Sequence, residues 1–222
     1  SRSGNTFYAF LNGVVGGTAT SSGTVYALDY AYLGAESGGT YPFFGNLSGT
    51  RIVNGTAVYT SNFTVPTSPL TAITNTSLLT LQSNRYIDNS VTNATITKNG
   101  DSPVRPTNPF DDNTDYSTYG SAYFNGSSDY LTIPGTGSQF AFGTGNFTIE
   151  CWANLSTVSS SHRINWLLIL SRQEPSNSLT RGEPRATDNC GFQHHTATPS
   201  QPPPMQCSQA DFATGKCRAR IT

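Results

Sequence analysis

SAYFNGSSDYLTIPGTGSQFAFGTGNFTIECWANLS, residues Ser121–Ser156, divides into three strand-length segments separated by turn chemistry. Ala122–Phe124 runs into Asn125-Gly126, a pair that tolerates the positive φ angles of a tight hairpin turn. Tyr130, Leu131 and Ile133 follow and are closed by Pro134-Gly135. After Phe140, Phe142 and a Gly143-Thr144-Gly145 break, Phe147, Ile149, Cys151 and Ala153 alternate with Thr148, Glu150, Trp152 and Asn154. Period two over eight residues sends one set to a core and the other to the opposite face. This predicts a long sheet strand with one buried side.

The rest of the composition agrees with a β protein. Of 222 residues only 11% are charged, while glycine alone numbers 21 and tyrosine and phenylalanine number 11 and 12. Such a mixture suits short strands joined by polar turns, in one large β domain or two small ones. A net charge of −1 gives no electrostatic footprint for nucleic acid or acidic membranes. The longest apolar run, Trp166–Leu170, falls far short of the roughly 20 residues a membrane span needs. No signal peptide is visible at Ser1, where strand-like sequence has already begun. The four cysteines, Cys151, Cys190, Cys207 and Cys217, do not form the dense framework of a small secreted scaffold.

Earlier in the chain, Phe7–Phe10, Leu11-Asn12-Gly13 and Val14-Val15 predict a hairpin. Thr24–Leu33 predicts a strand with an aromatic face of Tyr26, Tyr30 and Tyr32, interrupted by Asp29. Leu47–Val53, an Asn54-Gly55 turn and Ala57–Thr60 follow, then a loop with Pro66 and Pro69. Ser77–Leu81 is a short apolar run, and residues 101–118, with Pro103, Pro106, Pro109 and four aspartates, predict an irregular surface connection.

Several of these segments carry a family resemblance. Leu47–Thr67 (LSGTRIVNGTAVYTSNFTVPT) resembles the closing part of laminin-G-like, concanavalin A-like lectin/glucanase jelly-roll repeats of the phage or environmental type, and Phe7–Gly13 is similar to an earlier hairpin of that fold. Ser77–Leu81 with Ile87–Ser90 looks like the opening of a second repeat, continued by Tyr123–Pro134 and Phe142–Trp152. The resemblance covers about residues 5–160 and implies an all-β antiparallel β-sandwich of jelly-roll type. The order departs from the family's, because a closing half (1–66) precedes an opening half (77–170). The chain ends of a closed sandwich tolerate permutation, so the two halves are expected to complete one sandwich over residues 1–170. Phe7 and Phe10 would then share a core with Phe147, Ile149 and Leu155.

Beyond Leu170 the character changes. Tyrosine disappears, all three histidines lie from His162 onward, and Gln201-Pro202-Pro203-Pro204 is a local polyproline run. Residues 171–222 are therefore expected to be a disordered tail foreign to the repeat, with a shifted reading frame as one source.

Candidate chemistry is sparse. Cys190, His194, His195, Cys207 and Cys217 form the one Cys/His grouping, but their gaps are too long for a zinc finger or ribbon. Glycoside hydrolysis needs two facing carboxylates; of Glu36, Glu150, Glu174 and Glu183 only Glu150 sits on a predicted strand, between Thr148 and Trp152. No catalytic residue, metal ligand or ligand-binding residue is singled out, and the chain is not expected to be an enzyme. Calcium is the one cofactor left open, through the oxygen ligands of Asp129, or of Asp111, Asp112, Asn113 and Asp115, although neither group has the spacing of a defined loop. Asp29 reads as a solvated or turn-capping residue. Tyr26, Tyr30, Tyr32, Tyr41, Tyr116 and Tyr119 are the rings that a carbohydrate platform would draw on. Sequons at Asn46, Asn54, Asn62, Asn75, Asn93, Asn125, Asn146 and Asn154 reflect Asn and Thr richness.

The resulting expectation is a carbohydrate-binding or adhesion module on an extracellular or virion surface. Its partners would be a glycan or cell-surface ligand and adjacent repeats of the same protein, with no nucleic acid and no membrane span. The alternative is a structural spacer of a virion tail or surface fibre.

Overall fold

A computed structural model describes residues 1–25, 29–35, 41–110, 119–135 and 138–156, and the backbone of three later strands. Fourteen strands are assigned, and no helix occurs among the described residues. They are β1 (Arg2–Ser3), β2 (Thr6–Leu11), β3 (Val14–Thr20), β4 (Tyr30–Leu33), β5 (Phe44–Asn54), β6 (Thr76–Thr80) and β7 (Thr97–Asn99). Then come β8 (Val104–Arg105), β9 (Ser121–Asn125), β10 (Tyr130–Pro134), β11 (Phe147–Leu155), β12 (Leu168–Ser171), β13 (Cys190–Gln193) and β14 (Cys217–Arg220).

Two antiparallel sheets make a β-sandwich. The larger runs β3-β2-β1-β11-β5-β9-β8 with β6 also paired to β5, and the smaller runs β12-β4-β10-β7. In both sheets strands from residues 1–66 pair directly with later ones. The long strand β5 is the axis of the larger sheet: β11 lies along one edge, and the other edge is shared by β9 at Phe44–Leu47 and β6 at Thr50–Val53. The change of partner is made at Gly49, whose φ of +53° forms a bulge opposite β11. Trp152 packs over it, and a Cβ there would stand 2.8 Å from the ring.

The alternation of β11 holds throughout, because the extra residue sits in β5. Ile149 pairs with Ile52 on the core side and Glu150 with Arg51 on the outer side. Between the sheets lie Ala31, Leu33, Leu47, Ile52, Leu78, Ala122, Phe124, Leu131, Ile133 and Phe147, with Phe140 and Phe142 closing one end. Phe43 meets Phe124 edge-on at 6.1 Å, and Phe142 lies 4.7 Å from Phe147. Each such side chain contributes about 1.5–3 kcal/mol of burial.

Four expectations are corrected. Asn125-Gly126 does not close a hairpin: β9 joins the larger sheet and β10 the smaller, so the turn is a corner between sheets. Asn125 Oδ1 accepts the amides of Ser127, Ser128 and Asp129, and the Asp129 carboxylate accepts the Asn125 amide, which bends the chain away from its own strand. Ala57–Thr60 forms no strand and instead crosses the outside of the larger sheet. Phe7 does reach the core, edge-on to Phe147 at 6.1 Å, but Phe10 is three residues on and faces outward with Tyr59 and Phe63. Of the described residues in Thr24–Leu33, those of β4 are strand, Val25 makes one isolated bridge to Gly143, and Thr24 and Asp29 are not strand; residues 26–28 lie outside the described residues.

In the tail, β13 and β14 pair in parallel with Cys190 opposite Cys217. The remainder of the expected disordered segment lies outside the described residues.

Candidate functional site

Among the described residues, the outer face of the larger sheet is divided between a covered half and an open half. Residues 55–75 lie across the first. Thr148 Oγ1 accepts the Val58 amide at 2.8 Å and donates to the Thr56 carbonyl at 3.1 Å. Glu150 Oε1 accepts from Arg51 Nε and Nη2 at 2.8 and 2.6 Å, and Oε2 accepts from the Tyr59 hydroxyl at 3.1 Å. A third Arg51 donor, Nη1, reaches the Thr71 carbonyl at 2.8 Å. Burial, and then the charge of Glu150, pushes the Tyr59 hydroxyl up to about 12. Tyr59 stacks on Phe63 at 3.6 Å, with Phe10 edge-on to both.

Glu150 faces away from the core, as the period-two pattern predicts, and lies under its own chain in an ion pair with Arg51. The thiol of neighbouring Cys151 is pushed up to about 12 by burial and by the Glu150 charge.

The open half is set by strand register. Tyr123 of β9, Asn46 of β5 and Asn154 of β11 are direct partners in turn, so they form one row across three strands. At ordinary strand spacing the row spans about 10 Å, the scale of one or two sugar rings. Arg105 of β8, opposite Ser121, projects on the same face, and its guanidinium carbon lies 4.0 Å from the centre of the Tyr123 ring. Phe44 meets Tyr123 edge-on at 6.1 Å. At the far side Trp152 is held between Gly49 and Phe110, whose ring is 5.2 Å away. Ser121 Oγ donates to Asn46 Oδ1 at 3.4 Å. Asn46 Nδ2, the Asn154 amide and the Tyr123 hydroxyl have no hydrogen bond among the described residues. Aromatic edges, two amides and a guanidinium are the groups that bind polar, ring-shaped ligands.

The expected rings are distributed differently. Tyr30 and Tyr32 stand on the outer face of the smaller sheet with Tyr130, at ring distances of 6.0 and 6.2 Å, but Tyr32 is buried. Tyr41 is exposed, and Tyr119 packs on Phe110. Tyr26 and Tyr116 lie outside the described residues.

Asp29 is exposed at the start of β4, where its carbonyl accepts from the Gly135 amide. Asp129 is buried and already engaged: Oδ1 accepts the Asp101 amide at 2.9 Å and Oδ2 the Asn125 amide at 3.1 Å. It ties the β7–β8 turn to the β9–β10 corner. Asp88, which the sequence did not single out, plays the same part in another loop, accepting the amides of Leu79, Ser90 and Ala94. No group of three or more His, Cys, Asp or Glu side chains is placed to hold a metal among the described residues. Asp111, Asp112, Asn113, Asp115, Glu36, Glu174, Glu183, His194, His195 and Cys207 lie outside them, as do the side chains of Cys190 and Cys217. No helix among the described residues is long and apolar enough to cross a membrane.

Tyr123, Asn46 and Arg105 escaped the sequence reading because their meeting depends on register. The one local signal was parity, since Tyr123 is out of phase with core-facing Ala122 and Phe124.

No family model, curated protein or solved structure matches this chain. The laminin-G-like resemblance rests on the residues of its own segments.

Proposed function

We propose that the chain is a non-enzymatic binding module of a larger repeat protein, attaching to glycans or a cell surface through the open half of the larger sheet's outer face. The observation that carries this reading is the Tyr123–Asn46–Asn154 row, flanked by Phe44 and Arg105. Its amides suit sugar hydroxyls, and the Phe44 and Tyr123 side chains add apolar contact area beside them. Glu150, the strand-borne carboxylate, has both oxygens engaged by Arg51 and Tyr59, which argues for a structural part. An extracellular or virion-surface setting and the jelly-roll, laminin-G-like assignment belong to the same reading, as does the joining of a closing half to an opening half. A glycan array probed with the full chain and with Asn46→Ala/Asn154→Ala tests it. Binding to a defined set of glycans that the double variant loses supports it, and silence across the array overturns it.

One observation favours a spacer role in a virion tail or surface fibre instead. Tyr8 spends its amide and carbonyl on Ser1, so Thr18, its partner on edge strand β3, turns its own main-chain groups away from β2. The strand carries no charge or proline to block pairing with a neighbouring repeat. Concentration-dependent mass by light scattering, with and without Thr18→Pro, separates this role from glycan attachment.

A further inference from the structure

Arg105 distinguishes the open half of the outer face from a neutral platform. Its guanidinium lies over the Tyr123 ring, on the surface a neutral pyranose would use for stacking. It has no ion pair or hydrogen bond among the described residues. Arg51, by contrast, spends its guanidinium on Glu150 and Thr71. The neighbouring outward side chains Phe44, Asn46, Ser121, Tyr123, Trp152 and Asn154 are all uncharged, and the nearest acid along β11, Glu150, is consumed by Arg51 and Tyr59.

A guanidinium offers five N–H donors in a planar fork and no acceptor, so its complement is a ligand that brings paired acceptors. A ring beneath it limits its rotamers, so less freedom is lost when the fork engages. The adjacent amides of Asn46 and Asn154 then satisfy hydroxyls on the same ligand, about one sugar ring away along the row.

We infer that the ligand of this face is a carboxylate-bearing sugar, a uronic-acid residue of an acidic polysaccharide, with Arg105 as its anchor and Tyr123 as the positioning residue for that anchor. This inference rests on the reading of the outer face as a glycan platform. A carboxylate matches the fork with two parallel hydrogen bonds, whereas a scattered negative charge would be met as well by a lysine.

The test titrates the full chain, at physiological salt, with oligogalacturonate and with the same oligosaccharide after reduction of its carboxyl groups. The acidic form should bind about fivefold to tenfold more tightly, a modest factor because Arg105 is exposed. Arg105→Ala should remove that preference, so that the acidic and reduced forms bind with equal affinity. Arg105→Lys should recover only part of it, and Tyr123→Phe should keep it in full. Equal binding of the two forms, both lost in Asn46→Ala/Asn154→Ala, overturns the acidic ligand and leaves the platform standing. Dextran sulfate binding as tightly as oligogalacturonate also overturns the acidic ligand, since charge density alone would then suffice. Binding untouched by any of these variants, or no binding at all, overturns both.

Discussion

Arg51 and Glu150 are register partners on adjacent strands, and two donors of the guanidinium converge on one carboxylate oxygen at 2.6 and 2.8 Å. Their side chains are only 6% and 16% exposed, because residues 55–75 lie over them. Removing one partner leaves the other charge buried without its counter-ion. Glu150→Ala should therefore cost about 3 kcal/mol in urea unfolding, while the double variant Arg51→Met/Glu150→Leu should cost less than the sum of its singles. Additive losses would show that the two residues do not act as a pair.

Alkaline stability follows from the same cluster. The folded Tyr59 hydroxyl rises from 10.0 to about 12 and the Cys151 thiol from 9.0 to about 12, so the unfolded chain releases these protons first. The stability they contribute is whole below pH 9 and is lost as pH climbs towards 12. A melting temperature flat to pH 9 and falling above it is expected, with Tyr59→Phe and Cys151→Ala each shallowing the fall. Identical alkaline profiles in the wild type and both variants would contradict the assignment.

Asp129 has its two oxygens occupied by the amides of Asp101 and Asn125. Asp129→Ala should destabilise by about 1 kcal/mol, because the part-buried amides of Asp101 and Asn125 lose their acceptor. That loss should be the same in calcium and in EDTA. A loss that appears only in calcium would make Asp129 a metal ligand.

Much of the core was legible, and the reason is local. Phe147, Ile149, Ala122, Phe124, Leu131 and Ile133 follow period two within single strands, and that period depends on backbone geometry alone. Parity also separates Phe7 from Phe10, although the family pattern placed both in one core. What was not legible depends on where strands go. The Asn125-Gly126 turn permits a hairpin as readily as a corner, and the amides captured by Asn125 and Asp129 decide between them. The middle residue of the Tyr123–Asn46–Asn154 row comes from a strand more than seventy positions before the other two, so no window of sequence contains it.

Gly49 is the point where β5 changes partner, and its left-handed φ of +53° is combined with a Trp152 ring that a Cβ would meet at 2.8 Å. Gly49→Ala should cost about 2 kcal/mol and loosen Trp152. A thermal melt with tryptophan fluorescence follows both effects, and an unchanged spectrum and midpoint would contradict the bulge.

The account's central claim is that ligand binds the open outer face of the larger sheet. The most direct test is a two-dimensional amide NMR titration of the full chain with a glycan that it binds. Shifts concentrated at Phe44–Asn46, Arg105, Ser121–Tyr123 and Trp152–Asn154 are predicted. Shifts concentrated instead at Tyr30, Tyr32 and Tyr130 would place binding on the smaller sheet and contradict it.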